Sequence, residues 1–323
     1  SVLRTAARPA GLSTPFGSRN DAVHYLQMSA GGRVMAATLA NYRCPQVFHG
    51  TRVRVVPEWQ EDFAQLGMAD VTNWRTPVDV PPVSVSKKAV ACYRVPFPDG
   101  RVMYYKRYDY RHSWKARLRF WMRPSRAGVE QFGYGQYRRL GIAVPGIVGF
   151  GESRVMGTLV SSFIATEEVP AAVNMKEFIT RGMPGASEAG RAARLAAFAR
   201  RLLTDIRKAH DACLFHYDLK WRNILMQQRD GEYYPVIIDC PRAFVSRLRR
   251  RYGITADLSA LAREAVLYLS LQQRYRLLAV YLGESASPAE RKYWYRRVQR
   301  RYERRAKTEQ PRDSLFKGVR FDR

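Results

Sequence analysis

Short apolar runs separated by turn residues predict a small antiparallel sheet in the first half of the chain. Two such runs, residues 89–95 (AVACYRV) and 101–108 (RVMYYKRY), flank a proline-rich turn that ends in Asp99-Gly100. Asp-Gly is typical of tight hairpins, so both runs are predicted as paired strands. The runs IVGFGE and TLVSSFIA are predicted as further strands after a helix over residues 128–140, and EWQEDFAQLG as a short upstream helix.

Apolar residues recur at helical spacing through the second half of the chain. Between Glu188 and Cys213 they mark one buried face of a predicted long helix, formed by Leu195, Phe198, Ala199, Leu202, Leu203, Ile206 and Cys213. The longest apolar stretch starts at Leu258 and is interrupted by Arg263-Glu264 and by Gln272-Gln273-Arg274. It therefore predicts a buried helix or a helix pair rather than a membrane span.

Between these helical regions, residues 216–240 (HYDLKWRNILMQQRDGEYYPVIIDC) place polar residues around a predicted hairpin. The runs ILM and VIID are predicted as short strands joined by a turn at Asp230-Gly231. Asp218 and Asn223 precede the first strand, and Asp239 ends the second. One tight loop can therefore direct Asp218 and Asn223 into a cleft to which Asp239 returns across the hairpin.

This order of residues matches what phosphoryl transfer requires. The reaction needs a carboxylate to accept the proton of the acceptor hydroxyl, an amide and a carboxylate to hold Mg²⁺, and a lysine, fixed by a glutamate, to bind the ATP phosphates. The pattern H-x-D-L-x-x-x-N followed by a hairpin and an aspartate is that of the protein-kinase catalytic loop. Asp218 is thus predicted as the base, and Asn223 and Asp239 as the metal ligands.

The lysine and the glutamate that would bind the ATP phosphates are expected in the sequence before Asp218. Lys106 in the strand YYKRY and Glu130 in the following helix are assigned to this pair, although two nearby glycines leave a surface carboxylate as the alternative for Glu130. Lys220 is placed beside the transferred phosphate, with a solvated loop residue as the alternative. His216 and His210 are interpreted as structural anchors.

The charge of the chain indicates an anionic partner. Lysine and arginine number 55 against 28 aspartates and glutamates, a net charge of +27, which suits nucleic acid, an anionic membrane surface or a phosphorylated substrate. Between Asp239 and Asp257 lie five arginines and no acid, and they are equally consistent with substrate binding and with a solvated face: Arg242, Arg247, Arg249, Arg250 and Arg251. Residues 114–126 and 291–307 mix aromatics with cations and are candidate amphipathic helices at a membrane, or helices docked on the protein.

The cysteines and the N-terminal segment indicate less about function than the residues named above. The scattered cysteines Cys44, Cys92, Cys213 and Cys240 form no C-x-x-C pair, which argues against a zinc ribbon or a disulfide framework and favours a reducing compartment. Residues 1–51 are set apart as an N-terminal extension. Their composition, with no acid before Asp21, suits a transit peptide, a disordered basic tail, or sequence upstream of a start near Met28.

Over residues 52–285 the sequence resembles the lipopolysaccharide core heptose/Kdo kinases, a family with a protein-kinase-like fold. The resemblance rests on YYKRY, GVEQFGYGQYRRLGIAVPGIVGFGE, HDACLFHYDLKWRNIL, VIIDCPRAF and TADLSALAREA. It implies a bilobal α+β fold with a β-rich N-lobe over residues 52–165 and a helical C-lobe over residues 166–323, which includes a basic C-terminal helix.

The resemblance also implies roles for single residues. Asp218 is the catalytic base, Asn223 and Asp239 are metal ligands, Lys106 and Glu130 form the phosphate clamp, Glu167 to Val169 form the adenine-binding hinge, and Asp257 opens a helix and braces the catalytic loop from below. ATP with Mg²⁺ is the implied donor, and an inner-core sugar hydroxyl of lipopolysaccharide, heptose or Kdo, is the implied acceptor. The implied location is peripheral, at the cytoplasmic face of the inner membrane.

Departures from the protein-kinase pattern leave other functions open. No G-x-G-x-x-G precedes Lys106, although Lys87 and Lys88 offer charge in its place; Tyr217 replaces the loop arginine, and Asp239-Cys240-Pro241 replaces Asp-Phe-Gly. Only 17 residues separate Asp239 from Asp257, which favours a small or glycan acceptor over a protein. The alternatives are a kinase of another glycan, a small molecule or a protein, and a weak pseudokinase that binds anionic membranes or partners. Nucleic-acid binding is ranked last because no recognition motif is present.

Overall fold

The computed structural model describes residues 48–66, 80–86, 89–111, 114–181 and 188–308. Within these ranges a sheet-rich half precedes a helical half, as the predicted α+β architecture requires. Residues 1–47 of the N-terminal segment, including Cys44, and the pair Lys87-Lys88 lie outside the described residues, and the expectations that concern them stay predictions. The last two residues of the segment, Gly50 and Thr51, already belong to the sheet.

Six antiparallel strands form the sheet of the first half: β1 Gly50–Val55, β2 Pro82–Ser86, β3 Val90–Pro96, β4 Val102–Asp109, β5 Ile147–Val155 and β6 Thr158–Glu167. Their order is β1-β5-β6-β4-β3-β2. The four strands predicted from the sequence are all present, and Gly100 closes the β3–β4 hairpin with a φ of 84°. The strands β1 and β2 were not predicted. Both are edge strands, which pair on one side only and need a weaker apolar pattern.

Three helices accompany the sheet: α1 Gln60–Gln65, which follows a 3₁₀ turn over Pro57–Trp59, α2 Trp114–Arg119, and α3 Arg126–Arg139. The helix α3 packs on β5 and β6, and Ser125 caps it by accepting a hydrogen bond from the amide of Gly128 at 3.0 Å. The amphipathic helix predicted over residues 114–126 is wrong in extent. Pro124 disfavours helical backbone at the preceding residue, so α2 and α3 are separate.

The described part of the second half forms five helices and five short strands: β7 Ala172–Asn174, α4 Met175–Arg181, α5 Glu188–Asp211, β8 Leu214–Phe215, β9 Ile224–Arg229, β10 Glu232–Ile237, β11 Phe244–Val245, α6 Arg250–Tyr268, α7 Leu271–Leu282 and α8 Pro288–Thr308. The predicted hairpin is β9–β10, and the long apolar stretch forms the α6–α7 pair. Among the described residues, no helix is both long and apolar enough to cross a bilayer.

The expectation that Asp257 opens a helix is wrong. The helix α6 begins at Arg250, so Asp257 lies in its interior and is buried. The reason is that the segment before Asp257 contains no helix breaker other than Gly253, whose place is set by close packing: a Cβ there would lie 2.3 Å from the ring of Phe215. Gly253 is therefore required because the ring of Phe215 leaves no room for a side chain, and the helix continues through this residue.

Two apolar cores stabilise the fold. The smaller one lies under the sheet and includes Trp59, Phe63, Met103, Tyr105 and Phe163. The larger one continues from Tyr108, Tyr137 and Ile164 of the first half into Phe198, Phe215 and Ile254 of the second. Because one core is shared between the two halves, α3 and the β9–β10 hairpin are held in a fixed relation.

An apolar cavity of about 490 Å³ lies within the helical half. Its wall is built from α4 to α8 and from Trp221 and Met226, with leucine, alanine and tyrosine side chains as the main lining groups. We call it the helical cavity. The periodicity of the helices in the sequence does not reveal this space.

Candidate functional site

The assigned lysine and glutamate meet at the junction of sheet and helix. The Nζ atom of Lys106, on β4, lies 3.1 Å from Oε2 of Glu130, on α3, and also pairs with Oδ1 of Asp239. Burial alone lowers the pKa of Lys106, but Glu130 and then Asp239 outweigh it and raise the pKa above its ordinary value. The structure therefore brings three predicted residues together around one ammonium group.

Two tyrosines complete the surroundings of Glu130. Tyr108 donates a hydrogen bond to Oε2 at 2.9 Å, and Tyr134 donates one to Oε1 at 3.0 Å. Glu130 is only 2% exposed, so a surface carboxylate is excluded as its role. Sequence reasoning missed both tyrosines. Their signal was spacing: Tyr108 shares a strand face with Lys106, and Tyr134 follows Glu130 by one helical turn.

Asp239 occupies a constrained position after β10. Its φ is 57°, a left-handed conformation that aspartate tolerates better than most residues. Its amide donates to the hydroxyl of Tyr134 at 3.0 Å. Burial raises the pKa of Asp239, but Lys106 outweighs it and holds the pKa below the usual range. Its carboxylate is therefore ionised at neutral pH, as a metal ligand has to be.

The residue after Asp239 is packed against α3. The thiol of Cys240 is buried, and a Cβ at Gly133 would lie 2.7 Å from its Sγ atom. Gly133 thus allows the backbone after Asp239 to approach the helix that carries Glu130 and Tyr134. Where protein kinases have a mobile phenylalanine, this chain has a small buried side chain.

Asp257 braces the catalytic loop. Its two carboxylate oxygens accept the amides of His216 at 2.8 Å and Tyr217 at 2.7 Å, and Nε2 of His210 lies 3.2 Å from Oδ2. Tyr217 has a φ of 61°, and these two bonds hold the turn in that strained conformation. The bracing role expected for Asp257 is consistent with this geometry, although its place in α6 is not the one predicted.

His216 links the loop to the end of β10. Its Nε2 donates to the carbonyl of Ile238 at 3.0 Å, and its Nδ1 accepts the amide of Asp218 at 3.3 Å. Both ring nitrogens are therefore used by the backbone, which agrees with the interpretation of His216 as a structural anchor.

The loop presents Asp218 with two predicted neighbours. The Nζ atom of Lys220 lies 2.8 Å from Oδ1 of Asp218, and both side chains are about one-quarter exposed. The Nδ2 atom of Asn223 donates to the backbone carbonyl of Asp218 at 2.8 Å. Lys220 is thus paired with Asp218 rather than free in solvent, and its contact with a phosphate stays a prediction.

The donor set suits Mg²⁺ held jointly by protein and nucleotide. The bond from Nδ2 of Asn223 leaves its amide oxygen as the atom available to a cation, and Asp239 supplies an ionised carboxylate. Within the described residues, no group of three or more His, Cys, Asp or Glu side chains forms a complete metal cage. Magnesium commonly takes one or two protein oxygens and completes its shell with phosphates and water, so these two residues fit.

The predicted hinge residues lie where the sheet joins the helical half. Glu167 ends β6, and its side chain accepts a hydrogen bond from Nε1 of Trp59 at 3.3 Å. Glu168 pairs with Arg94 at 2.8 Å, and Val169 is partly buried in the connection to β7. The structure thus places Glu167 and Val169 at the interlobe connection, and their role in adenine binding stays a prediction.

The five predicted substrate-binding arginines are exposed on the segment before and at the start of α6. Arg250 pairs with Asp211 at 2.9 Å, which ties it to the end of α5. Arg249 lies over the ring of Phe244, 5.8 Å from its centroid. Among the residues that the structure describes, the side chains of Arg242, Arg247 and Arg251 make no comparable pairing, and their assignment to substrate stays a prediction.

Comparisons with known proteins identify the family and the fold of the chain. A family model described as "Lipopolysaccharide kinase (Kdo/WaaP) family" matches residues 96–281, more than half of the chain. The solved structure "WaaP in complex with acyl carrier protein" is similar, with a TM-score of 0.56 at 19% identity over 80% of this chain and 98% of that one. This likeness confirms the predicted kinase-like fold.

A second solved structure, the Rio2 kinase-ADP/Mg²⁺-phosphoaspartate complex from Chaetomium thermophilum, has a TM-score of 0.39 at 14% identity. The match covers 75% of this chain and 77% of that one, and its TM-score is too low to show a shared fold. No curated protein matches the chain significantly.

The Lys106–Glu130 pair is expected to be energetically coupled. Lys106→Met should reduce the free energy of unfolding by about 3 kcal/mol, because it leaves the carboxylate of Glu130 buried without its cation. Adding Glu130→Gln should restore part of that loss, since the double variant no longer carries the buried carboxylate of Glu130 and leaves only the more exposed carboxylate of Asp239 without its cation. Urea unfolding of the four proteins measures the coupling, with exposed Lys115→Met as the control. Strictly additive losses would show that the two residues act independently.

Proposed function

The chain belongs to the lipopolysaccharide kinase (Kdo/WaaP) family, and on that premise we propose that it transfers the γ-phosphate of ATP to a heptose or Kdo hydroxyl of the lipopolysaccharide inner core. The observation that supports this most directly is the meeting of Lys106, Glu130 and Asp239 beside a braced loop that carries Asp218. These elements come from the sheet, from α3 and from the hairpin, and a phosphoryl-transfer site needs all of them in one place.

Each residue has a distinct task in the proposed reaction. Asp218 orients the acceptor hydroxyl and takes its proton as the oxygen attacks phosphorus. Lys220, 2.8 Å from that carboxylate, stabilises negative charge on the transferred group. Lys106, held by Glu130, binds the phosphates that precede the transferred one. Asn223 and Asp239 would hold Mg²⁺, which neutralises the phosphate oxygens when it is bound.

The pseudokinase alternative is less well supported by this arrangement. A scaffold has no use for an ionised Asp239, a buried Lys106–Glu130 pair and a braced Asp218 all at once. The short segment between Asp239 and Asp257 also lacks the length of a protein-substrate platform, which favours a sugar acceptor. The best support for the pseudokinase is the absence of a glycine-rich loop before Lys106 in the sequence. A nucleotide-binding measurement tests whether the chain binds ATP without such a loop.

The test is transfer of labelled γ-phosphate from ATP, with Mg²⁺, to lipopolysaccharide whose core phosphates have been removed. Asp218→Ala is expected to lower the rate by about 10²–10⁴-fold, because it removes the general base, while ATP affinity stays close to the wild-type value. Asp230→Asn, on the exposed hairpin turn, is the control and should retain full activity.

Three results would be informative. Transfer that is lost in Asp218→Ala supports the proposal. ATP binding without transfer would redirect the search to other glycans, small molecules or proteins. Failure of both would favour the pseudokinase.

For location, we propose peripheral contact with an anionic membrane through an exposed apolar surface of the sheet-rich half. This tryptophan patch consists of Phe48, Trp114, Leu118, Trp121, Val155 and Met156. Trp114 is 70% exposed and Leu118 is 67% exposed. A contiguous patch of exposed apolar side chains commonly marks a site that contacts a membrane or another protein. The patch is continuous around Gly157, because Nε1 of Trp121 donates to the carbonyl of Met156 and the amide of Gly157 donates to that of Phe48.

Cations surround this patch. Lys115, Arg117, Arg119 and Arg123 are exposed, and no acid occurs between Asp109 and Glu130. Tryptophan among basic residues is the composition that favours the interface of an anionic bilayer. The second candidate segment, now α8, is docked on α6 with Trp294 buried, which supports the docking alternative for this part of its aromatic side.

Sedimentation with lipid vesicles tests the tryptophan patch. Trp114→Ala combined with Leu118→Ala should weaken binding to vesicles with an anionic lipid by about tenfold, through loss of apolar burial. Val83→Ala combined with Val85→Ala, exposed residues of β2, should leave binding unchanged. Equal binding by all three proteins, or equal binding to neutral and anionic vesicles, would contradict the proposal.

We further propose an acyl-bearing protein as a partner. The WaaP structure was determined in complex with acyl carrier protein. In this chain, the helical cavity of about 490 Å³ is lined mainly by apolar side chains, and an acyl chain is the ligand chemistry that matches such a lining.

Binding of acylated and unacylated acyl carrier protein distinguishes the acyl chain from the protein surface. Ala199→Phe, which fills the cavity from α5, should weaken binding of the acylated form by about tenfold or more. Ala193→Phe, exposed on the same helix and outside the lining, should have no effect. Equal affinity for the two forms would show that the cavity does not receive the chain.

A further inference from the structure

Two tyrosines and two arginines form a cluster beside the catalytic loop. Tyr217 directly precedes Asp218, and its ring centroid lies 6.0 Å from that of Tyr252 on α6. The Nη2 atom of Arg301, on α8, donates to the Tyr252 hydroxyl at 3.2 Å, and its guanidinium lies 4.5 Å from the ring. With Arg249 these residues form what we call the tyrosine–arginine cluster. It connects the C-terminal helix to the loop that carries the base.

Two donors in this cluster are buried without an acceptor. Among the described residues, neither the hydroxyl of Tyr217 nor Nε of Arg301 has a hydrogen-bond partner, and both atoms are shielded from solvent. Buried donors without a partner are rare in native proteins because each loses its bonds to water and gains nothing in return. Two such atoms in one cluster indicate that an acceptor group from another molecule belongs there.

The electrostatics favour an anion as that group. Arg301 foremost, against the effect of burial, and then Arg305 and Arg249 lower the pKa of Tyr252, which shows that three cations act on one side chain. Burial and then Asp257 raise the pKa of Tyr217 to about 12, so its hydroxyl remains a donor at neutral pH. The nearby carboxylate of Asp257 is already engaged by the loop amides and cannot neutralise these cations directly.

We propose that the tyrosine–arginine cluster binds a carboxylate or phosphate group of the acceptor and thereby positions the hydroxyl to be phosphorylated over Asp218. The inference rests on the proposed function, since it assigns a subsite to the acceptor of that reaction. It adds Tyr217, Tyr252 and Arg301 to the candidate site. The sequence had indicated only the arginines between Asp239 and Asp257 as substrate-binding residues. It also provides a use for Tyr217, which stands where protein kinases have an arginine.

The binding experiment uses a deacylated inner-core oligosaccharide without nucleotide, so that binding is measured separately from transfer. Arg301→Gln is expected to raise the dissociation constant by about tenfold or more, through loss of charge-assisted hydrogen bonds. Arg300→Gln removes one charge from an exposed neighbouring position of the same helix and should change it less than about twofold. A second oligosaccharide, stripped of phosphate, identifies the anion: continued sensitivity to Arg301→Gln indicates a carboxylate, and lost sensitivity a phosphate.

Tyr217→Phe provides a signature that a purely structural role would not produce. Because its hydroxyl has no partner in the free protein, the variant should unfold at the same temperature as wild type or higher, yet bind the oligosaccharide about threefold to tenfold more weakly. Equal effects of Arg301→Gln and Arg300→Gln, or no binding to wild type, would overturn the inference. Intact binding that depends on Arg301, without phosphate transfer, would leave the inference standing and refute the proposed function.

Discussion

The ammonium group of Lys106 is the contact on which the site depends. It bridges Glu130, 24 residues away, and Asp239, 133 residues away, and so joins the sheet, α3 and the end of the hairpin. Without this cation the two carboxylates would repel one another across a poorly solvated space. With it, the charges form one paired unit, and the residues of the sheet-rich half are held at a fixed distance from those of the helical half.

Hydrogen bonds extend this unit to the catalytic loop. Tyr134 donates to Glu130 and accepts the amide of Asp239, while His216 binds the carbonyl of the residue before Asp239. Asp257 then holds His216 and Tyr217 from the side of α6. Lys106, Asp239 and Asp218 are therefore parts of one continuous polar network, enclosed by the apolar core shared between the two halves.

The net charge of +27 is distributed over surfaces that surround this network. One group of cations borders the tryptophan patch, another lies on the segment that leads into α6, and a third covers α8. In the proposed function, each group of cations suits a different feature of a glycolipid acceptor in an anionic bilayer: the headgroups, the charged core sugars, or both. The same charge would attract nucleic acid, but the sequence contains no recognised nucleic-acid-binding motif.

The sequence by itself determined the parts of the site that depend on local spacing. Asp218 and Asn223 fall in one loop because they are five residues apart, and Lys106 lies in a strand because of the alternation around an Asp-Gly turn. The helix α5 was likewise predictable from periodicity, since its apolar residues recur at helical spacing over several turns. The α6–α7 pair was predictable from its long apolar stretch, because α6 is buried on all sides from Gly253 to Ala260. The family resemblance then assigned roles to these residues, whose order along the chain already matched the requirements of phosphoryl transfer.

Only the tertiary structure decided which distant elements meet. The tyrosines around Glu130, the position of Asp257 inside α6, the edge strands β1 and β2, the helical cavity and the reach of Arg301 to Tyr252 all depend on packing between segments far apart in the chain. Periodicity describes the face that an element buries but not the partner that covers it. That partner is chosen by shape, charge and the shared core, and these exist only once the chain has folded.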